Sequence, residues 1–323
     1  MIEHDKFIRL IHMGRIPGWQ TQAVYHTVAE LMTEDTPDTI IISQPSDTYV
    51  CLGYHQKLDE TFDRKVCDEK EIPILRRKVG GGGTYLDQNQ LFYQCVFHKS
   101  RVPANSDKVY EMMLTPVVNT LKHFFDVKAE LVGSHEVEMN GKRIAGIGGG
   151  QMGEASIVVG NILFDFDYDT MASVWSVPNE SFRALAKEAM KDHIITLDDI
   201  GSMVKMDKLA DQLIEEYEKH LGRKLNPGGM TIDEIERAGQ VGAVLRSESF
   251  LNSMDEGNGS SKRKPLKIAR NVFIHYDEIY VDGEKVMGCF RVEDGLIHSV
   301  RLDNGNAEME AALIGIAFED LAK

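Results

Sequence analysis

The sequence predicts an α+β protein in two parts: a large domain over residues 1–245, a linker at 246–265 and a small domain over 266–323. Three observations carry this. The chain has 323 residues, more than a single hydrophobic core usually serves. Within the first 245 residues, strand-like apolar runs and segments of helical spacing both occur. Residues 253–265 then carry almost no apolar side chain and include Gly-Asn-Gly-Ser-Ser, the composition of a linker or long loop.

The elements follow in order. Residues 20–32 place Ala23, Val24, Val28, Leu31 and Met32 at helical spacing. Residues 39–43 and 48–54 read as strands joined by the turn Gln44-Pro45-Ser46-Asp47. The polar stretch 61–70 reads as a short surface helix, 72–77 as a strand, and 91–97 as another strand beyond a glycine run. Ser106 or Asp107 opens a helix to Phe125 whose Val109, Met113, Val117 and Leu121 form a core stripe. A β section covers 130–132, 137–139, 142–145, 156–159 and 162–166. Helices are predicted over 171–175, 181–190, 206–221 and 231–244, the last with a capping box of Thr231 and Glu234. The small domain reads as strands over 267–276, 278–281 with 286–292, and 296–302, separated by turns that include Asp282-Gly283 and Asp294-Gly295, then a closing helix over 307–321.

Composition narrows the function. Apolar residues make up 42% of the chain, enough for a packed core. No run approaches the roughly 18–20 apolar residues of a membrane helix, so no membrane partner is expected. The start Met1-Ile2-Glu3-His4-Asp5 lacks the apolar core of a signal peptide. Cys51, Cys67, Cys95 and Cys289 are scattered without a CxxC pair, which suits reduced thiols and a cytoplasmic location. A net charge of −15, from 36 Lys plus Arg against 51 Asp plus Glu, repels a phosphate backbone and disfavours bulk nucleic-acid binding, so no nucleic-acid partner is expected. We expect a monomer.

Three segments carry chemistry. The first is Arg76-Arg77-Lys78-Val79-Gly80-Gly81-Gly82-Gly83-Thr84-Tyr85-Leu86-Asp87. Each glycine costs about 0.5–1 kcal/mol relative to Ala, a cost explained where backbone must approach a ligand or turn without a Cβ. The preceding cations would hold a carboxylate or phosphate. No Gly-Lys-Ser/Thr ends the run and no helix pattern opens after it, so neither a P-loop nor a dinucleotide fingerprint fits. The second segment, Asn140-Gly141-Lys142-Arg143-Ile144-Ala145-Gly146, places two cations on a strand, where only one of them can face a pocket. The third, from Val159 to Asp167, carries Asn161, Asp165 and Asp167 at alternating positions.

Together these segments resemble the lipoate–protein ligase family of the biotin and lipoate ligase superfamily. Arg76-Arg77-x-x-Gly80-Gly81-Gly82-x-x-Tyr85-x-Asp87 is similar to its double-arginine, triple-glycine loop. Gly141-x-x-Ile144-Ala145-Gly146 and Gly160-x-Ile162-Leu163 resemble two of its strands. The resemblance implies a catalytic domain with a mixed β-sheet flanked by helices, and a small accessory domain. It implies ATP and magnesium as cofactors, lipoate as substrate, and a lipoyl carrier protein or domain as partner. The acid would attack the α-phosphate of ATP, and a carrier lysine would then attack the acyl-adenylate. Substrate-binding residues would be Arg76, Arg77, Gly80, Gly81, Gly82, Gly83, Tyr85, Asp87, Gln90, Ala145, Gly146, Gly160 and Asn161. Lys142 and Arg143 are the candidate catalytic cations; Asp165 and Asp167 are the candidate magnesium ligands.

The sequence also departs from the family. Its lysine falls on Arg143 in an ungapped alignment, and Lys142 stands one place earlier, so either could face the ligand; the ungapped register favours Arg143. Leu86 replaces a histidine, and Asn89-Gln90 stands near the usual Gly-Asn. Related acyltransferases use a cysteine instead of ATP, but no cysteine lies in 130–165, and Ser156 occupies that position of one branch. The alternatives are therefore an ATP-independent octanoyl or lipoyl transferase, and a degenerate paralogue that binds the acid or the acylated carrier. Biotin ligation fits the loop pattern less well.

Overall fold

The structure is a computed structural model and describes residues 7–254, 264–281 and 283–321. The chain begins with β1 (Phe7–Ile16), α1 (Gly18–Glu30), β2 (Thr39–Pro45) and β3 (Tyr49–Leu52), followed by the short helices α2 (Leu58–Thr61) and α3 (Arg64–Glu69). Next come β4 (Ile74–Arg76), β5 (Thr84–Leu86), β6 (Gln90–His98) and α4 (Ser106–Phe124). The β section consists of β7 (Ala129–Val132), β8 (Glu136–Met139), β9 (Lys142–Arg143), β10 (Ala145–Met152) and β11 (Ala155–Leu163). It is followed by α5 (Tyr168–Val174), α6 (Glu180–His193), α7 (Met206–Leu221), β12 (Lys224–Gly228), α8 (Ile232–Leu245) and α9 (Glu248–Leu251). The last elements are β13 (Leu266–Ala269), β14 (Val272–Val281), β15 (Glu284–Glu293), β16 (Leu296–Leu302), α10 (Ala307–Leu313) and α11 (Phe318–Leu321).

The described residues form two compact units. One draws on 7–56, 71–166 and 195–254, the other on 57–70, 167–194 and 264–321. Packing therefore divides the chain differently from the expected boundaries at 245 and 266. Residues 57–70 and 167–194 group with the C-terminal strands, because α6 lays Phe182, Leu185 and Ala189 inward and Asp192 bonds Arg291. Residues 246–254 of the expected linker hold α9 within the first unit, and 255–263 lie outside the described residues.

The first unit is built on a mixed six-stranded sheet in the order β10-β11-β6-β2-β1-β12. β1 runs parallel to β2 and β12, and the β2, β6, β11 and β10 pairings are antiparallel. The mixed sheet flanked by helices matches the expected fold class. β1 and β12 were not expected from the sequence. Arg9 breaks the apolar run of β1 yet is buried, paired through both nitrogens with Glu234 at 2.6 and 2.9 Å. Pro227 similarly disguises β12, which is tolerated because β12 is an edge strand. β2 and β3, expected as neighbours across a turn, enter different sheets: β3 is the centre of a three-stranded β4-β3-β5 sheet. The expected strands at 156–159 and 162–166 are one strand, β11, ending at Leu163.

In the second unit, β13 to β16 form an antiparallel meander whose core includes Ile279, Phe290, Val300 and Phe318. Asp294 and Gly295 both take positive φ in the β15–β16 turn, whereas Asp282 of the other predicted turn lies outside the described residues. The closing helix expected over 307–321 is broken at Gly315 (φ +83) into α10 and α11. Among the described residues no helix is long and apolar enough to cross a membrane.

Candidate active site

The glycine run owes its form to a chain crossing. β4 and β5 flank β3 on opposite sides, so residues 77–83 must pass over the end of β3. They pass at Gly53, where an added Cβ would lie 1.8 Å from the carbonyl oxygen of Gly81, and Gly81 itself takes φ +102. Only two glycines allow that contact. Tyr54 N–H bonds the Val79 carbonyl at 3.0 Å, and Gly80 N–H bonds Gly149 of β10 at 3.3 Å. The loop therefore lies between the end of β3 and the glycine-rich edge strand.

Arg76, Arg77 and Lys78, expected to hold an anion, are engaged inside the protein. Arg77 Nε donates to Gly80 O at 3.0 Å, Nη2 to Gly82 O at 2.9 Å and Nη1 to Cys51 O at 3.2 Å. Arg76 is fully buried and donates to the carbonyls of Gly53, Tyr54, Gln56 and Leu251. Lys78 pairs with Glu30. A carbonyl turned toward Arg77 turns the next N–H the other way, since the peptide is planar and trans. The amides of Gly81 and Gly83 accordingly point away from the guanidinium, and Gly81 and Gly82 are exposed.

Beneath the loop, buried His26 of α1 accepts from Lys78 N–H through Nε2 at 2.8 Å and donates from Nδ1 to Gln22 O at 2.6 Å. Its neutral form is thereby required. Burial, with the Lys78 charge adding, lowers its pKa from the ordinary 6.5 to about 3. Between those values the unfolded chain takes up a proton that the folded chain refuses. Stability is complete above pH 6.5 and is lost as pH falls toward 3, by up to about 1.4 kcal/mol per unit. Urea titrations at pH 7, 6 and 5 should show this slope in the parent protein and a flatter one in His26→Gln; equal slopes would remove His26 from the account.

A second polar chain joins the two glycine segments. Gly146 N–H donates to Asn161 Oδ1 at 2.7 Å, Asn161 Nδ2 to Gln90 Oε1, and Gln90 Nε2 to Tyr85 O at 3.3 Å. Asp87 accepts from Asn89 N–H at 2.9 Å. Asn161, Gln90, Tyr85 and Asp87 are all buried, so they position the loop against β10 and β11. Alternation then sorts the strand residues. Gly146 and Gly148 face the loop: a Cβ on Gly148 would lie 3.4 Å from Gly80 O and 3.7 Å from Arg77 Nε. Ala145 and Gly160 face the other side, where Gly160 makes room for the Tyr93 ring, so neither lies on the loop side. Gly149, on that same side, makes room for the Tyr110 hydroxyl.

The turn before β9 sets the two cations on opposite faces of the hairpin. Asn140 (φ +55) and Gly141 (φ +77) form a two-residue hairpin turn, which pairs Lys142 with Met139 and Arg143 with Glu138. Directly opposed residues share a face. Arg143 thus lies on the acidic side of the hairpin, bonded to Glu136 through Nε at 2.8 Å and Nη2 at 2.7 Å. Lys142 shares its side with buried Met139 and Val137. The two candidate cations thus take opposite faces of the hairpin, with Arg143 paired to Glu136.

Asp165 and Asp167 each make local hydrogen bonds. Asp165 accepts from Phe166 N–H at 2.7 Å, and Asp167 caps α5, accepting from Thr170 N–H at 2.9 Å and Oγ1 at 2.6 Å. Among the described residues no cluster of three or more His, Cys, Asp or Glu side chains is placed to hold a metal ion. All four cysteines are buried, and burial pushes the Cys95 thiol up to about 12, those of Cys67 and Cys289 up to about 11, and that of Cys51 upward as well. Ser156 is buried too.

Comparison with known proteins agrees with this architecture. The chain is similar to the octanoyltransferase LipM of Kyrpidia tusciae, 23% identical over 75% of this chain and 97% of that protein. It is 24% identical to lipoate-protein ligase A subunit 1 of Thermoplasma acidophilum, over 54% of this chain and 69% of that one. Among solved structures, the bi-partite lipoate protein ligase of T. acidophilum, studied with its E2 lipoyl domain, superposes with a TM-score of 0.70 at 21% identity, covering 79% of this chain and 99% of that one. LipL1 of P. falciparum, in complex with lipoate, gives 0.62 at 13% identity, over 96% of this chain and 90% of that one. These structural likenesses establish the fold. The profile of the lipoyl protein ligase A/B catalytic domain matches residues 18–218, and the chain belongs to that family.

Proposed function

We propose that the protein is an acid–lysine ligase that activates lipoate or octanoate with ATP and passes the acyl group to a lysine of a lipoyl carrier domain. The burial of all four thiols carries this reading over ATP-independent transfer. A thioester route needs an accessible thiolate, and burial keeps these thiols protonated. In the first step a carboxylate oxygen attacks the α-phosphorus and pyrophosphate leaves. In the second, the carrier amine attacks the acyl carbonyl and AMP leaves.

The residues suit an anionic mixed anhydride. The Gly81 and Gly83 amides, set by the Arg77 contacts, would donate to its oxygens. Lys142 would stabilise the charge that develops on the carbonyl and phosphate oxygens. Arg76 and Arg77 act by holding the cradle. The similarity to an octanoyltransferase favours a second reading, transfer of octanoyl from one carrier to another without ATP. The protein should be incubated with apo-carrier, ATP, magnesium and octanoate or lipoate, and, separately, with octanoyl-carrier alone. We expect carrier mass gain and pyrophosphate release only with ATP. Acylation from octanoyl-carrier, with no ATP-dependent pyrophosphate, would establish the second reading in its place.

A further inference from the structure

We propose that Arg76 is a positioning residue that makes the glycine cradle conditional on the docking of α9. Its side chain is fully buried and so does not meet a substrate. From the end of β4, Nη1 donates to the carbonyls of Gly53 at 3.3 Å, Tyr54 at 2.9 Å and Gln56 at 2.6 Å, while Nη2 donates to Leu251, the last residue of α9. One guanidinium thus gathers carbonyls from two segments about 200 residues apart in the sequence.

Segment 53–56 is also the platform of the glycine run. Gly53 meets the Gly81 carbonyl closely enough that no Cβ fits between them, and Tyr54 N–H holds Val79. A displacement of 53–56 therefore displaces Val79 and Gly81. α9 has four residues, too few to be stable as an isolated helix, so its place depends on contacts such as Arg76 and the Phe250 ring, 6.4 Å from that of Tyr54. The direction of dependence is reciprocal: loosening α9 removes one of the carbonyls that orient Arg76, and loosening Arg76 releases the platform.

The test is hydrogen–deuterium exchange on the full chain. In Arg76→Lys, which keeps the charge and loses the planar fork, amides of 53–56 and 79–83 should exchange at least about tenfold faster, while those of the β1–β2 pair keep their rates. Ser247→Ala, which removes the cap that accepts from Phe250 N–H and so weakens α9 without touching Arg76 or Tyr54, should accelerate the same two segments. Unchanged loop exchange in both variants, or acceleration spread equally through β1 and β2, overturns the proposal. The activity arm alone rests on the ligase reading: kcat for acyl-adenylate formation should fall in both variants, with KM for the acid moving less. A KM rise for the acid with loop exchange unchanged would make Arg76 a direct ligand. If the parent protein forms no acyl-adenylate, the ligase reading fails and the exchange result still decides the role of Arg76.

Discussion

Lys142→Ala is expected to lower kcat/KM for acyl-adenylate formation by about 10²–10³, the usual effect of removing one aimed donor from a developing oxyanion. Arg143→Ala should lower it less than tenfold. The contrast follows from the Asn140-Gly141 turn, whose two positive φ angles fix the hairpin register. A register slip of one residue would exchange the faces of the two cations. In the register present, Arg143 spends its guanidinium on Glu136, and its charge is offset there. Lys142 lies opposite Met139, on the other face of the hairpin from Arg143. Pyrophosphate exchange dependent on octanoate or lipoate measures the step directly. A larger loss in Arg143→Ala than in Lys142→Ala would return the site to the ungapped reading. Equal, small losses would remove the hairpin from the chemistry altogether.

The glycine runs were legible in the sequence as places of close approach, but not what approaches them. Gly53 and Gly81 serve a chain crossing, Gly149 and Gly160 make room for Tyr110 and Tyr93, and Gly148 faces the loop. Composition cannot separate these uses, because each shows only as a missing side chain. The cations before the run were read from local spacing as ligands, and much of their bonding goes to other segments: Glu30 for Lys78, Cys51 as well as the loop itself for Arg77, and Leu251 for Arg76. His26 gave no signal, since a single histidine on an apolar helix looks like any core residue, and its acceptor role depends on Lys78 52 residues away. Periodicity served well where one face meets one core. The helix over Met206–Leu221 and the Thr231–Glu234 capping box were found as predicted. β1 was hidden because its buried Arg9 is neutralised by Glu234, 225 residues later.

Asp38→Ala should be the most destabilising of the simple substitutions, by about 3–5 kcal/mol, because it leaves two largely buried arginines and a backbone amide without their partner. Asp38 is fully buried at the entrance to β2. Its Oδ1 accepts from His98 N–H and from Arg101 Nε, both at 2.9 Å, and Oδ2 accepts from Arg223 Nη1. Its own carbonyl accepts from Arg9 N–H at 2.8 Å. The carboxylate therefore ties the end of β6 and the segment after it to the turn between α7 and β12, while the backbone carbonyl holds the start of β1. Arg223 in turn donates to Phe7 O at 2.9 Å, so freeing it also loosens the first described residue of the sheet. Asp38→Asn keeps the shape and removes the charge, and should fall between parent and alanine. The exposed Asp59–Arg64 pair, 3.2 Å apart, supplies the control: Asp59→Ala should cost less than about 1 kcal/mol. Thermal melts then separate the cases, with a fall in Tm of roughly 6–20 °C for Asp38→Ala. If Asp38→Ala melts within a degree or two of Asp59→Ala, burial of the carboxylate is not what holds these strands together, and the arginines must be satisfied by water in its place.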